Sequence, residues 1–434
     1  MELIAQSLEY STENFEIIKE NKTDWSEKEL SKFSEKPSKD YLGLYYNFDS
    51  PKIIRPHYYI GYRWFDEKEE QYIKVSPKSN AGKQADYLKM FLECLKDPIV
   101  SNHLDETYKI FFDEKWITID EKQDEITPFL ILHFLKIVSF ISKKGLKKGY
   151  IKVQENLTSK IKGRILIGET IKQNHFKNRL DKTVCEHQIF TTDCIENQIL
   201  KTALLQCSKN LHGIGDDDIS KLLKYNLKSF ELVSQKEIFD SDFAKIKHSA
   251  FYKEYKEALR LAQMIFKRFG FALNSSRQNA SRKIPPFYIN MSELFERYTE
   301  VYLRKIYKDK LVPGYGRENG KSYKWGLRPD FIVKDKRLII DAKYKYWFDN
   351  NNNNYFKDDF QQLSLYGRVK EIREIIGLKH SNKIAKILFI YPKTDGEKCI
   401  DKNNFKDIKV EGFKNIYKIG ISIPHNKEIP NDPI

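Results

Sequence analysis

Near its C-terminal end the chain reads Arg328-Pro329-Asp330-Phe331-Ile332-Val333, then four charged residues, then Leu338-Ile339-Ile340-Asp341-Ala342-Lys343-Tyr344. Both runs are short and apolar, and the charged residues between them are typical of a tight turn, so together they predict a β-hairpin. Side chains alternate between the two faces of a strand. We therefore expect Asp341 and Lys343 on one face, with Asp330 beside Asp341 on the neighbouring strand.

These residue types suit the hydrolysis of a phosphodiester bond. Two aspartates that share a site offer hard oxygen ligands, which Mg²⁺ prefers, and Mn²⁺ is a possible substitute. A bound divalent cation activates water and stabilises the anionic phosphate in the transition state. Lys343 is expected to orient or deprotonate the attacking water, or to offset charge on the phosphate.

An Asp-x-Lys pattern alone has little value, because the chain contains several to which we assign no chemistry. They are Asp66-Glu67-Lys68, Asp113-Glu114-Lys115, Asp120-Glu121-Lys122 and Asp407-Ile408-Lys409. Asp341 and Lys343 differ because they follow an apolar run that is expected to be buried, and a buried strand seldom carries two charges without a functional reason. The alternative is a surface ion pair on an edge strand.

Two helices are expected beside the hairpin. The first is capped by Asn290, with Glu293 three residues later, and carries Glu296, which is expected to extend the carboxylate set toward a second metal ion. The helix after the hairpin carries Gln362 and Tyr366, which are four residues apart and therefore lie on one face. We expect both to support DNA or the attacking water, and the alternative for Tyr366 is helix packing.

The composition favours a soluble cytoplasmic protein that binds a polyanion. The chain of 434 residues has a formal net charge of +15, so nucleic acid is the first partner to consider. The alternative is a lysine-rich surface that reflects the codon bias of an AT-rich genome.

Five scattered cysteines are typical of reduced thiols. Cys185, His187, Cys194 and Cys207 invite a zinc interpretation, but they lack the usual close cysteine pair, and we expect buried thiols.

Three regions are expected along the chain. Residues 1–125 are predicted to be β-rich, and residues 126–280 are predicted to be mainly helical. Residues 281–434 are predicted to form a mixed sheet flanked by helices, and the polar stretch 274–279 before Pro285-Pro286 marks their start. The fold class is therefore a multidomain α+β or α/β protein. The most apolar stretch, 126–141, is too short to span a membrane and is expected to be a buried helix.

The order of Pro329-Asp330, Asp341-Ala342-Lys343 and Gln362-Leu363-Ser364-Leu365-Tyr366 resembles the PD-(D/E)xK nuclease superfamily, whose core is restriction-endonuclease-like. More narrowly the chain resembles the McrC family, the nuclease subunit of McrBC-type modification-dependent restriction systems. Leu294-Phe295-Glu296-Arg297-Tyr298 also carries this likeness, and so does the later run Leu388–Pro392. Weaker likenesses lie at Gly163-Arg164-Ile165, at 190–200 and in the N-terminal region.

The resemblance implies a set of partners. One is double-stranded DNA, with or without modified bases. The other is a hexameric ring of an McrB-like AAA+ NTPase that uses GTP or ATP, and the N-terminal part of the chain is expected to engage and stimulate this ring. The chain itself has no G-x-x-x-x-G-K-[ST] phosphate loop. Two alternative hypotheses for the function stay open. One is a stand-alone nuclease of DNA repair or recombination, and the other is a DNA-binding scaffold subunit that no longer cuts DNA.

Overall fold

The computed structural model describes most of the chain. The described residues are 2–5, 17–18, 41–46, 54–55, 57–68, 71–77, 79–80, 83–111, 113–120, 126–210, 217–244, 246, 252–269, 281–314, 328–334, 336–345, 357–393, 410 and 412–425. The polar stretch 274–279 and the asparagine run 350–354 lie outside these residues.

The strands are short in the N-terminal region and longest in the middle of the chain. They are β1 (Glu2–Ala5), β2 (Ile17–Ile18), β3 (Tyr45–Tyr46), β4 (Ile54–Arg55), β5 (Tyr59–Asp66), β6 (Gln71–Val75), β7 (Ser79–Asn80), β8 (Lys83–Gln84), β9 (Tyr108–Ile110), β10 (Ile117–Asp120), β11 (Gly149–Thr158), β12 (Arg164–Ile165), β13 (Lys182–Thr191), β14 (Ser281–Ile284), β15 (Phe287–Asn290), β16 (Leu311–Pro313), β17 (Phe331–Val333), β18 (Leu338–Ala342), β19 (Lys386–Lys393) and β20 (Ile416–Ser422).

The α-helices are α1 (Tyr87–Lys96), α2 (Ile126–Lys144), α3 (Ile167–Gln173), α4 (Ile195–Asn210), α5 (Asp217–Ser229), α6 (Asp240–Phe243), α7 (Lys253–Phe269), α8 (Met291–Tyr307), α9 (Lys357–Tyr366) and α10 (Lys370–Ile375). Short 3-10 helices lie at Val100–Thr107, His175–Lys177 and Lys308–Lys310. None of these described helices is both long enough and apolar enough to cross a membrane.

The chain divides into two compact units. One unit joins residues 1–117 to residues 285–434, and the other consists of residues 118–284. The three-part division expected from the sequence treats the first and last regions as separate domains, and the structure differs by grouping them. The physical reason is strand pairing: β15, from the last region, lies between β5 and β9 of the first region in one sheet.

That sheet has six strands in the order β2-β1-β6-β5-β15-β9. The pairing of β5 with β6 is antiparallel. Phe287 pairs with Tyr62 on one side and with Ile110 on the other. Since α8 begins at the residue after β15, the sheet fixes where this helix starts.

The second sheet of the same unit is a mixed sheet in the order β16-β17-β18-β19-β20. Strands β16, β17 and β18 run antiparallel to one another, whereas β18, β19 and β20 run parallel. The mixed sheet expected in this region is therefore confirmed. All five residues of β18 are buried, and Ile339 packs with Leu363 and Tyr366 of α9 in a core cluster.

The unit 118–284 is mainly helical, as expected, with α2 packed against α5 and α7. The apolar run 126–141 forms α2, whose residues 129–135 are all buried. A three-stranded sheet in the order β11-β13-β12, of which β11 and β13 are long and β12 is short, belongs to the same unit and was not expected from the sequence. Cys185, Cys194 and Cys207 are buried free thiols, as is Cys94 in the other unit.

Candidate active site

The β17–β18 hairpin brings two aspartates together. Phe331 pairs with Ile340, so Asp330, one residue before β17, lies beside Asp341 in β18. The Asp330 Oδ2 atom accepts a hydrogen bond from the Ala342 backbone N–H at 2.8 Å, which ties this carboxylate to the neighbouring strand. Asp341 is only 2% exposed. The alternative of a surface ion pair therefore does not describe this site.

Lys343 completes the group at the end of β18. Its Nζ atom lies 2.9 Å from Asp341 Oδ2, which makes an ion pair. The same Nζ atom lies 3.5 Å from the Gln362 Oε1 atom on α9, a long hydrogen bond. Its backbone N–H donates to the Ile390 carbonyl at 2.8 Å and extends the β18–β19 pairing by one residue. Asp341 and Lys343 therefore lie on one face, as expected, and their charged groups are in direct contact.

The electrostatics of Asp330 link it to a third carboxylate. Its pKa is raised well above the ordinary value, first by burial and then by the negative charges of Glu296 and Asp341, while Lys343 and the Ala342 N–H lower it in part. Asp330 as a whole is partly exposed, but its carboxyl group is buried, and this burial is the main cause of its raised pKa. The negative charge of Glu296, on α8, therefore acts on Asp330.

Helix α8 begins as the sequence predicts. The Asn290 side chain accepts hydrogen bonds from the backbone N–H groups of Ser292 and Glu293 at 3.2 and 3.4 Å, which caps the helix. Glu296 lies one turn into the helix and is 8% exposed. Helix α8 contacts β18, and the rings of Phe295 and Tyr344 are 5.8 Å apart.

Gln362 and Tyr366 share α9 but have different surroundings. Gln362 is exposed and reaches Lys343. Tyr366 is 1% exposed and packs in the core cluster, and its hydroxyl donates to the Arg328 carbonyl at 2.9 Å. Burial raises the pKa of Tyr366, and the charge of Asp341 raises it further. The contacts of Tyr366 are those of a packing residue that holds the segment before Asp330, and its support of DNA stays a prediction.

A close backbone approach also fixes Asp330. The Gly314 N–H, just after β16, donates to the Asp330 carbonyl at 2.6 Å. A Cβ atom added at Gly314 would overlap the carbonyl oxygen of Pro329. Only glycine allows this approach. No local pattern predicts this role, because Gly314 lies far from Asp330 along the chain.

The donor set fits Mg²⁺ held by two carboxylates. Within the part of the chain that the structure describes, no group of three or more His, Cys, Asp and Glu residues is arranged to hold a metal ion. Mg²⁺ needs no such group, because it is usually bound through one or two carboxylates, with waters and substrate phosphates as the other ligands. Asp330 and Asp341 suffice for this mode, whereas direct ligation by Glu296 stays a prediction.

Glu300 lies one helical turn after Glu296 on α8, and no role was predicted for it. Glu300 is 1% exposed and accepts hydrogen bonds from Arg297 and Arg304. The signal was available in the spacing, because Arg297 precedes Glu300 by three residues and Arg304 follows it by four.

The chain was also compared with known proteins. Residues 54–376 match the model of a family described as McrBC 5-methylcytosine restriction system component. No curated protein matches the chain. Two solved structures are similar to it. One is a refined half-complex from a tetradecameric assembly of Thermococcus gammatolerans McrB AAA+ hexamers with bound McrC, with 15% identity, coverage of 91% of this chain and 86% of that chain, and a TM-score of 0.37.

The other solved structure is the cryo-EM structure of the Thermococcus gammatolerans McrBC complex, with 16% identity, coverage of 64% of this chain and 76% of that chain, and a TM-score of 0.31. Both TM-scores are low, so the assignment to a family rests on the family model. Because that model covers residues 54–376, which are most of the chain, this protein belongs to the McrBC 5-methylcytosine restriction system component family.

Proposed function

We propose that this protein is the DNA-cutting subunit of its restriction system, a metal-dependent endodeoxyribonuclease with a PD-(D/E)xK centre. One observation carries the proposal: Asp330 and Asp341 lie side by side at the end of a buried hairpin, with Lys343 2.9 Å from Asp341. Two acidic groups and one cation in this order suit phosphodiester hydrolysis. Membership of a restriction family supports DNA as the substrate.

Each residue has a defined role in the proposed reaction. Asp330 and Asp341 hold Mg²⁺ through their carboxylate oxygens. The bound ion would supply an activated water and positive charge for the phosphate. Lys343 lies close enough to Asp341 to contact a water or a phosphate oxygen at the same place, where it orients the nucleophile and offsets negative charge in the transition state. Gln362 restrains the Lys343 ammonium from the solvent side.

The proposal includes a partner. We infer that an McrB-like AAA+ NTPase ring activates this subunit, because the family is a component of a multi-part restriction system and this chain has no phosphate loop of its own. The ring would move the DNA, and this subunit would cut it. The competing hypothesis is a stand-alone nuclease. A comparison of the chain alone with the chain mixed with the NTPase distinguishes the two hypotheses.

The first test is cleavage of modified double-stranded DNA by point variants in the presence of Mg²⁺ and the partner NTPase. Asp330→Ala, Asp341→Ala and Lys343→Ala are each expected to reduce cleavage by at least roughly 100-fold, while the folded chain still binds the NTPase. Asp113→Ala is the matched control, since Asp113 begins an exposed Asp-x-Lys sequence. Cleavage by Asp341→Ala at the unaltered rate would refute the site.

The second test compares the chain alone with the chain mixed with the NTPase. We expect the isolated chain to be nearly inactive on DNA, and we expect mixing to raise both cleavage and NTP hydrolysis several-fold. Strong cleavage by the chain alone, without nucleotide, would support the stand-alone nuclease and contradict the inferred partner.

A further inference from the structure

Arg328 is a charged residue beside the two aspartates that has no role in the proposed reaction. It lies two residues before Asp330, and its side chain is exposed. Pro329, between these two residues, is buried, whereas Asp330 is partly exposed. The chain therefore turns Pro329 toward the core and leaves the Arg328 guanidinium on the solvent side of the candidate active site.

The backbone of Arg328 is fixed although its side chain is exposed. Its carbonyl accepts a 2.9 Å hydrogen bond from the hydroxyl of Tyr366, which is 1% exposed. The proline that follows restricts Arg328 to an extended backbone. Gly314 approaches the next carbonyl, that of Pro329, so closely that a Cβ atom at Gly314 would overlap it. A ligand of the guanidinium would therefore have to order only one side chain, which lowers the entropic cost of binding.

The charge of Arg328 is available for an anion. In the part of the chain that the structure describes, its guanidinium has no hydrogen-bond or ion-pair partner. Lys343, by contrast, forms an ion pair with Asp341 at 2.9 Å. A guanidinium presents its N–H donors in a planar fork that matches the oxygens of a phosphate group. An unpaired arginine beside the aspartates therefore suits a phosphate from solution.

The position of Arg328 suits a second phosphate of a DNA strand that lies at the two aspartates. Two residues of extended chain span at most about 7 Å, so the backbone of Arg328 lies within this distance of Asp330. Phosphates repeat along one DNA strand about every 3.4 Å of helix axis. Neighbouring turns of α9 support the two cations, because Gln362 contacts Lys343 and Tyr366 holds the Arg328 carbonyl. A strand whose scissile phosphate lies at the aspartates therefore passes close to the guanidinium.

We propose that Arg328 binds a backbone phosphate of the cleaved DNA strand, close to the scissile phosphate, and so holds the strand across the active site. The inference rests on the proposed function, because it assumes that the two aspartates and Lys343 cut DNA. A contact to phosphate adds affinity but reads no base. Arg328 is therefore expected to act on DNA of any sequence, and it touches the substrate but not the metal ion.

The test is the binding of a fluorescent double-stranded DNA to the full-length chain, measured by fluorescence anisotropy with Mg²⁺ and without the NTPase. Arg328→Gln is expected to weaken binding about 3- to 10-fold. Between about 50 and 200 mM salt, the slope of log affinity against log salt should fall by about 1, because one phosphate contact is lost. Arg328→Lys keeps the charge but loses the fork, so it should keep the slope and have an intermediate affinity.

Arg337→Gln is the matched control for this variant. Arg337 is also an exposed arginine of the same hairpin, but it lies just before β18, at the opposite end of that strand from Asp341. Its loss should leave the DNA affinity and the salt dependence unchanged. An equal loss in the two variants would mean that the DNA responds only to the net charge of the chain, and this would overturn the proposal.

Cleavage by the chain together with the NTPase separates a DNA contact from a structural role. Arg328→Gln should need more DNA for half-maximal cleavage, while the rate at saturating DNA and the Mg²⁺ requirement stay nearly unaltered. Its unfolding temperature should also be unaltered, because the side chain is exposed. Unaltered DNA affinity and salt dependence, or a lower unfolding temperature, would overturn the role of Arg328 alone. An unaltered chain that cuts no DNA with Mg²⁺ and the NTPase would overturn the nuclease itself, and this inference with it.

Discussion

At the scale of single residues, Asp330 lowers the stability of the folded chain, and a bound metal ion would relieve this effect. Its raised pKa means that the folded chain binds a proton at this carboxyl more strongly than the unfolded chain does. The stability from this group is therefore fully present below the ordinary carboxyl pKa and is lost as the pH rises through the raised value. In the metal-free chain at neutral pH, this carboxyl group therefore destabilises the folded state.

We therefore predict that Asp330→Asn stabilises the metal-free chain at pH 8 while abolishing cleavage. Asparagine keeps an oxygen that can accept the Ala342 N–H but carries no charge toward Glu296 and Asp341. The thermal midpoint should rise by about 2–4 °C, the shift that ~1 kcal/mol produces in a domain of this size. Thermal unfolding followed by circular dichroism at several pH values measures this.

The pH dependence distinguishes this cause from improved packing. The gain should shrink as the pH falls and vanish well below the ordinary aspartate pKa of about 4, where the unaltered carboxyl is protonated in both the folded and the unfolded state. It should also disappear when Mg²⁺ is added to the unaltered chain. A gain that is equal at every pH would contradict the electrostatic account. Asp113→Asn, on an exposed residue, should show no such gain at any pH.

At the scale of elements, the end of β16 determines where the β17–β18 hairpin sits. We predict that Gly314→Ala destabilises the chain by about 1–3 kcal/mol, because the new Cβ atom would overlap the Pro329 carbonyl and must push the strand away. The displaced Asp330 should lower cleavage at least roughly tenfold, since small misplacements of a catalytic group are costly. Chemical unfolding and cleavage of DNA are the two measurements.

Gly367→Ala is the matched control for this variant. A Cβ atom there would lie 3.4 Å from Ala385 Cβ, which is close to ordinary contact. This variant should therefore keep both its stability and its activity. Equal losses in the two variants would mean that the approach of Gly314 to Pro329 has no special role.

The sequence was sufficient to predict those features of the fold that depend on neighbouring residues in the chain. Alternating faces predicted the contact of Asp341 with Lys343, and the Asn290 cap marked the start of α8. The sequence did not reveal which strand pairs with which across long distances. The apolar run Phe287–Ile289 is compatible with a buried strand but does not show that the neighbours of β15 are β5 and β9. The spacing of Gln362 and Tyr366 does not show that Tyr366 turns inward while Gln362 stays exposed.

At the scale of the whole molecule, the first and last regions are one folding unit. The resemblance suggested that the N-terminal region engages a partner while the C-terminal region cuts, with each job in its own domain. The structure differs: β15 supplies a central strand of the N-terminal sheet, and α8 packs on α1. The two regions therefore share a scaffold, and truncation is a poor way to separate them.

We predict that a fragment ending at residue 284 aggregates, whereas a fragment of residues 118–284 stays soluble and unfolds cooperatively. The longer fragment lacks β15, so β5 and β9 keep unpaired backbone groups along their edges, which favours association between chains. Size-exclusion chromatography and thermal unfolding compare the two. A longer fragment that is monomeric and folded would show that the N-terminal sheet does not need β15.

The place of β15 between strands from the first third of the chain also sets an order of events on the ribosome. After Ile110 has emerged, its pairing partner Phe287 has not yet been made. At about 5–20 residues per second, the wait is roughly 10–35 seconds. Most of the region 118–284 is made during that time and can begin to fold, while the earlier strands stay exposed to chaperones and to neighbouring nascent chains. Slower translation would lengthen this vulnerable interval, so the yield of active protein should depend on the speed of synthesis between these two residues.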